Sequence, residues 1–597
     1  MNNPFQNILR GIEVGEGQLL TRLLPLLLTL TVIAGVFNFV TYHGLSDSQS
    51  MDNAQLARQI VRGEGFTTKF IRPHAVAQLR DYLQSQPLLL GGGGELFPAD
   101  KFPAGSQKIL PDTYNAPGYP VLLAGWFALV RPNFNQSNKD LGETHIYSPD
   151  RYIPFLNLIF LLLTAGMVFF LANRLFDDRV AWMSTVTFLA TDLVWQYSVT
   201  ALSTLFLMFL ITAAITCVLE IFQVGENCFE SESASFAPAW GWAAVLTVLL
   251  IVLCYTRLSL LIVLVPLLVV LILMPRSNFA LGPLVAVAVV LAIAPWFWHW
   301  SSVSGNPLGS NVTLLILGED NYSQDQIYRT LSVPAYEQLF KDVSKKEFLG
   351  FRWHFEHAWG LLACSPMILL FAVSLLHRFK RPKAQVLVWL LVGCAVGMIA
   401  VNNLAVTNPD PLSTWNTLVI LFPCMTVVGS AFFFILLDRL ELQLWLLNNL
   451  IIIGVLLLTA APLAMTLTTS SSGYYSFPPY MPPLIKILGG YAKPDEWVTT
   501  DMPWASAWYS DHTSLWLPDT TADFESLHDT VCPSGILYLT PVSWAKYTGT
   551  FMTGEDKEWL PFFTRVNLPA SFPLTTHTFV TGPEYSVWSD RARWQTQ

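Results

Sequence analysis

Charge is scarce in this sequence. Only 13% of its 597 residues are Asp, Glu, Lys or Arg, against 53% hydrophobic, and mean hydropathy is +0.45. That balance excludes a water-soluble globule of ordinary composition and implies a polytopic membrane protein. Cysteine is sparse too: of the seven, Cys217, Cys254, Cys364, Cys394 and Cys424 lie in apolar segments, with no disulfide framework and no CxxC metal pair. Burial as small hydrophobes accounts for them. The net charge is -9 and no basic run exceeds a short loop, so no nucleic acid partner is expected. No nucleotide-binding motif, internal repeat or low-complexity tail is present. The first apolar run, from Leu23 to Val40, is followed by no small-residue cleavage site and reads as an uncleaved transmembrane helix.

What is abundant is apolar sequence of membrane-spanning length. About 20 such residues cross a bilayer, which places helices near 22–42, 153–173, 180–196, 203–222, 239–256, 258–274, 279–299, 355–377, 384–403, 413–437 and 443–466. With the N-terminus inside, the inner loops hold Arg174 and Arg179, then Arg276, then Arg378, Lys380, Arg381 and Lys383, then Arg439. This agrees with the collection of basic residues on the cytoplasmic side. Residues 43–152, 300–354 and 467–597 then lie outside. The apolar piece Ala116 to Val130 would reverse every later loop if it spanned, so it reads as a juxtamembrane helix; Gly91 to Gly94 form a flexible joint before it. The fold class is therefore a polytopic α-helical membrane protein of about 11 spans. Residues 1–466 form the transmembrane domain, and 467–597 a small outer α/β domain. In the latter EWVTT, SLWLP and GILYLT read as strands and TADFESLHD as a helix with Thr521 near its cap.

The first strongly polar stretch, Leu45 to Pro73, carries the chemistry-bearing residues. Met51, Ala54, Ala57, Ile60 and Val61 recur at helical spacing, opposite Asp52, Gln55, Gln59 and Arg62, which predicts an amphipathic helix on the membrane surface ended by Gly63 and Gly65. Asp52 and Gln55 form a D-x-x-Q capping arrangement; alternatively Asp52 is a general base at the water-membrane boundary. Asp47 and Asp192 are second acidic groups, Asp192 as a metal ligand, an acceptor-binding group or simply a hydrated interfacial residue. Arg257 falls between two apolar runs at their outer ends, where it either snorkels or grips a phosphate with its planar fork. Lys69 and Arg72 face the same boundary. His354 and His357, flanking Glu356, admit a metal reading or ordinary interfacial placement, so a divalent metal remains open and no cofactor is assigned.

Four stretches give a resemblance: MDNAQLARQIVRGEGFTT, PDTYNAPGYPVLLAG, RYIPFLNLIFLLLTAGMVFFLANRLFDDRVAW and APWFWHWSSVSGNPLGSN. In order and spacing, over roughly residues 20–315, the chain resembles the GT-C superfamily of membrane glycosyltransferases. Specifically, it resembles the glycosyltransferase family 39 type that includes protein O-mannosyltransferases and lipid A aminoarabinose transferases. The resemblance implies transfer of a sugar from a polyprenyl-phosphate donor to a lipid, glycan or protein acceptor on the outer face of a bacterial inner membrane. It places the family's acidic residue on Asp52, less readily on Asp47, and an arginine after the fifth span on Arg257. In the implied mechanism Arg257, with Lys69 or Arg72, holds the leaving phosphate. Relatives often carry a lysine or proline near Asn115, an acidic residue near Ser203 and an arginine near His299, all missing here. Two rival readings stand beside it: a transporter or flippase of a lipid-linked or anionic solute, and a degenerate relative acting as a binding partner. The first would place its polar groups near the bilayer midplane, whereas here charges gather in outer loops and helix ends.

Overall fold

A computed structural model describes residues 32–84, 110–230, 237–273, 281–310, 326–331, 343–469, 480–544, 557–579 and 585–595, save 39, 145, 407, 442–444, 567 and 570. Most of the expected span 22–42 lies outside the described residues, as does the Gly91 to Gly94 joint. Among the described residues, seven helices are long and apolar enough to cross a membrane: Ser148–Leu175, Thr204–Cys228, Ala237–Thr256, Leu281–Ser304, Pro382–Ala405, Leu418–Arg439 and Trp445–Thr469. Each coincides with an expected span. Within them, Thr204–Cys228 and Leu418–Arg439 are the centre of the bundle, 89% and 94% buried over their most apolar windows, and Trp445–Thr469 is the periphery at 11%.

Three expected spans are shorter or interrupted. Residues 180–196 divide into Asp178–Leu189 and Asp192–Ser198, and residues 258–274 into a 3-10 turn Leu258–Val263 and a helix Leu264–Leu273. Residues 355–377 break between Val343–Leu361 and Pro366–Ser374. The last break has a local cause: Ala363 and Cys364 take positive φ of 67° and 51°, and Pro366 restarts the helix at its first turn. The basic residues gather at one end of the bundle. There Arg174 and Lys383 share Glu220, Arg179 approaches Asp438, and Arg381 donates to the Leu175 carbonyl oxygen.

The other end carries the polar loops and a six-stranded sheet. Its strands are β1 Phe70–Ile71, β2 Trp497–Thr500, β3 Ser514–Trp516, β4 Ser534–Leu539, β5 Thr576–Phe579 and β6 Ser586–Ser589, in the order β1-β3-β2-β4-β6-β5. The first four in that order are mutually parallel; β6 runs antiparallel to β4, and β5 antiparallel to β6. The expected strands and the helix Thr521–Thr530 fall where sequence placed them, with Thr521 next to the cap residue, Thr520. The sheet is nevertheless not made by the C-terminal stretch alone, because β1 comes from the first outer loop. The apolar segment Gly118–Val130 forms a 13-residue helix, too short to span, lying against Ser48–Val61. Its start also closes on the helix Ala237–Thr256, where only a glycine fits: a Cβ on Gly118 would stand 2.7 Å from the Thr256 backbone nitrogen.

Candidate active site

Helix Ser48–Val61 is capped by Asp47, whose Oδ2 accepts from the Ser50 backbone N–H at 2.8 Å, and it ends before Gly63 and Gly65 at φ +82° and +73°. Asp52 is therefore an interior residue and not the cap. The helix does not lie on an open surface either. Every residue from Ser50 to Gln59 is buried, because the bundle covers one face and the C-terminal domain another. Its polar side faces polar partners inside the protein.

Asp52 is 1% exposed and fully oriented. Its Oδ2 accepts from Arg72 Nη2 at 2.6 Å and Asn115 Nδ2 at 2.9 Å, and its Oδ1 from Gln55 Nε2 at 3.0 Å. Oδ1 keeps further acceptor capacity. The Arg72 guanidinium is clamped between the rings of Phe70 at 3.9 Å and Tyr114 at 3.8 Å, a cation–π sandwich that fixes it against the carboxylate. Asn115 also donates to Asp112 Oδ2 at 2.7 Å and accepts from Gln49 at 2.6 Å. Burial, and then the Asp52 charge, raise the Asp112 carboxyl above the usual range.

Asp52 and Arg72 line a cavity of about 220 Å³ together with Asp47, Tyr328, Trp415 and Trp516. Burial pushes the Asp47 carboxyl up to about 6, against the opposing hydrogen bonds of its cap. A second cavity of about 130 Å³ adjoins it, the two sharing Gln49, Tyr114, Thr414 and Trp415. Arg257 lies on the wall of the second, with Ser203, Asn115 and Trp300. It occupies the joint between Ala237–Thr256 and Leu258–Val263. Its Nε donates to Ser259 Oγ at 3.1 Å, Nη1 donates to the Thr414 carbonyl oxygen, and its guanidinium carbon is 5.5 Å from the Trp415 ring. Among the described residues it forms no ion pair with a carboxylate.

The structure thus brings Asp52, Asp47, Arg72 and Arg257 to two joined cavities. It does not bring Lys69 or Asp192 there. Lys69 Nζ is 2.7 Å from Asp511 Oδ1, and Asp511 also receives Arg58 at 3.1 Å and Arg62 at 2.7 Å. Burial alone would raise Asp511, but these three cations hold it at about 2. Asp192 begins a short helix and accepts from its own Gln196 at 2.5 Å, on the wall of neither cavity. The His354 and His357 rings face backbone carbonyls of their own helix, at Gly350 and Trp353, while Glu356 pairs with Arg352. Among the described residues no three His, Cys, Asp or Glu side chains gather as metal ligands. Sequence reading missed Asn115, Asp112, Tyr114 and the tryptophans at 415, 504 and 516. PDTYNAP carried the only signal, a short polar run conspicuous between apolar pieces.

His74, next to this network, is 1% exposed, and neither ring nitrogen has a hydrogen-bond partner among the described residues. Burial lowers it from 6.5 to about 4. The unfolded chain takes up a proton below the first value and the folded protein only near the second. Stability is therefore lost as pH falls through that window. His74→Phe is expected to raise the melting temperature at about pH 7.5, since an unsatisfied buried polar group costs roughly 1–3 kcal/mol, and to raise it further at about pH 5. Thermal scans of the purified protein at both pH values check this.

No protein-family model matches the chain, and no curated protein matches it in sequence. Solved structures match its fold, two of them as follows. ArnT from Cupriavidus metallidurans in the apo state has a TM-score of 0.51 at 12% identity, over 96% of this chain and 98% of that one. The archaeal oligosaccharyltransferase AglB from Archaeoglobus fulgidus, in complex with an inhibitory peptide and a dolichol-phosphate, has a TM-score of 0.51 at 11% identity, over 96% of this chain and 74% of that one. The chain has the fold of the GT-C membrane glycosyltransferases.

Proposed function

We propose that this protein transfers a sugar from a polyprenyl-phosphate donor to an acceptor hydroxyl or amine, with the active site on the outer face of a bacterial inner membrane. The observation that carries the reading is the pairing of the two cavities. An oriented carboxylate lines one, and an arginine with no carboxylate partner among the described residues lines the other. Asp52 Oδ1 takes the acceptor's proton as its oxygen or nitrogen bonds the anomeric carbon. The bond from that carbon to the phosphate oxygen breaks, and Arg257 holds the departing phosphate. Single displacement inverts the anomeric centre. Arg72 holds Asp52 in place, a positioning role in preference to the phosphate contact expected from sequence. Because Arg72 already balances the Asp52 charge, the mechanism assigns no residue to a divalent metal. The dolichol-phosphate bound by AglB supports a lipid-phosphate carrier here, and the acceptor could be lipid, glycan or protein.

Release of radiolabelled sugar from a panel of polyprenyl-phosphate sugars, in membranes holding the wild-type chain, tests the reading; no consumption of any donor would favour transport or a non-catalytic role. Within it, Arg257→Ala is expected to lower kcat/KM for the donor about ten- to hundredfold, the worth of a charge-assisted hydrogen bond. Arg257→Lys should recover only part of this, because a point charge lacks the guanidinium fork.

A further inference from the structure

We propose that the membrane face at the end of the bundle away from Asp52 carries a seat for an anionic phospholipid, its phosphate between Arg378 and Lys380 and one acyl chain in the groove beside them. Two adjoining hollows make the seat. One, about 450 Å³, is walled by Arg378, Phe379, Lys380 and Gln385; the other, about 540 Å³, is walled by apolar side chains and Gly393; Val386 and Trp389 belong to both. On the helix Pro382–Ala405 the groove residues Val386, Trp389, Leu390 and Gly393 recur at i, i+3, i+4 and i+7, so they form one stripe. Facing them, Val265, Val269 and Leu273 repeat every fourth residue along the neighbouring apolar segment.

The groove is closed at one end. A Cβ on Gly393 would lie 2.9 Å from Pro266 Cβ, so the two helices touch there and part toward the basic loop. An extended chain can enter only from the charged end or from the bilayer. Trp389, 65% exposed, stands where the hollows meet, as a ring with an apolar body and an N–H does at a membrane interface.

Charge chooses the headgroup. The neighbouring cations are engaged: Arg381 donates to the Leu175 and Phe176 carbonyl oxygens, and Lys383 lies 3.8 Å from Glu220. Arg378 and Lys380 form no ion pair among the described residues. A zwitterionic lipid would fill the groove but bring its own ammonium beside the two cations, offsetting the pull of its phosphate, whereas a free anion would leave the groove unused. The site is also remote from the chemistry: Pro382–Ala405 has 24 residues, roughly 36 Å at 1.5 Å each, and its far end, Ala405, lines the Asp52 cavity.

Native mass spectrometry of the full chain, delipidated and returned to equal phosphatidylglycerol and phosphatidylcholine of the same acyl composition, tests the seat. Phosphatidylglycerol should be the last lipid retained, in about thirtyfold excess, as two cations near an anionic headgroup provide. R378Q/K380Q should bring the ratio to about one. Val269→Trp, which keeps both cations and fills the groove, should release the bound lipid even if the first variant inserts poorly. Equal retention of the two lipids, unchanged retention in Val269→Trp, or displacement by excess inorganic phosphate would each overturn the proposal.

Discussion

Asp52→Asn is expected to abolish sugar transfer, lowering kcat by about a hundred- to ten-thousandfold with the donor KM nearly unchanged, because a general base contributes that much and a carboxamide cannot accept the proton. Arg72 would then be a buried cation without its carboxylate, and breaking such a pair costs about 3–5 kcal/mol. The double variant Asp52→Asn with Arg72→Met separates the two effects. It removes the charge pair while an apolar side chain occupies the slot between Phe70 and Tyr114. Recovery of the melting temperature without recovery of transfer is the expected result. Transfer by the double variant near the wild-type rate would remove Asp52 from the chemistry.

The second large effect concerns the join between the two parts of the protein. Arg58 is fully buried and donates to the Trp508 carbonyl oxygen at 2.7 Å and the Ala507 carbonyl oxygen at 2.6 Å, with its guanidinium 4.9 Å from the Trp508 ring. Asp511 balances it together with Lys69 and Arg62. Asp511→Ala leaves these cations facing one another, and the stability of the assembled protein is expected to fall by about 3–5 kcal/mol. Limited proteolysis should then cut the variant at a protease concentration that spares the wild type. Arg62→Ala is the contrast: its side chain is 28% exposed, and loss of that rim contact should cost less than about 1 kcal/mol. Equal sensitivity of the two variants would show that the cluster does not hold the join.

How much of this was legible in the sequence depends on the range of each interaction. Seven spans were readable because bilayer thickness sets their length and apolar content, both local properties. Breaks within apolar runs were harder, since Ala190 and Thr191 differ little in hydropathy from their surroundings; only Ser365 and Pro366 carried a turn signal. Asp52 was visible as the one carboxylate inside an otherwise regular pattern, but its setting was misread. Periodicity reports two faces of a helix and cannot say that a folded domain, rather than water, meets the polar one. Asn115, 63 positions from Asp52, could not be assigned as its partner from local pattern. Lys69 and Arg72 stand three residues apart and looked equivalent. The short strand between them, too brief for any pattern, sends Lys69 to Asp511 and Arg72 to Asp52.

That strand also imposes an order on biogenesis. Phe70 pairs with Ser514 and Ile71 with Leu515, and the residue that follows is the arginine holding Asp52. A ribosome has to make more than four hundred further residues, and the membrane has to receive every span, before Ser514 exists to receive Phe70. Asp52 enters the bilayer boundary early in synthesis without the sheet that fixes its counter-ion. Its surroundings are completed only when the last part of the chain has been delivered to the same side of the membrane.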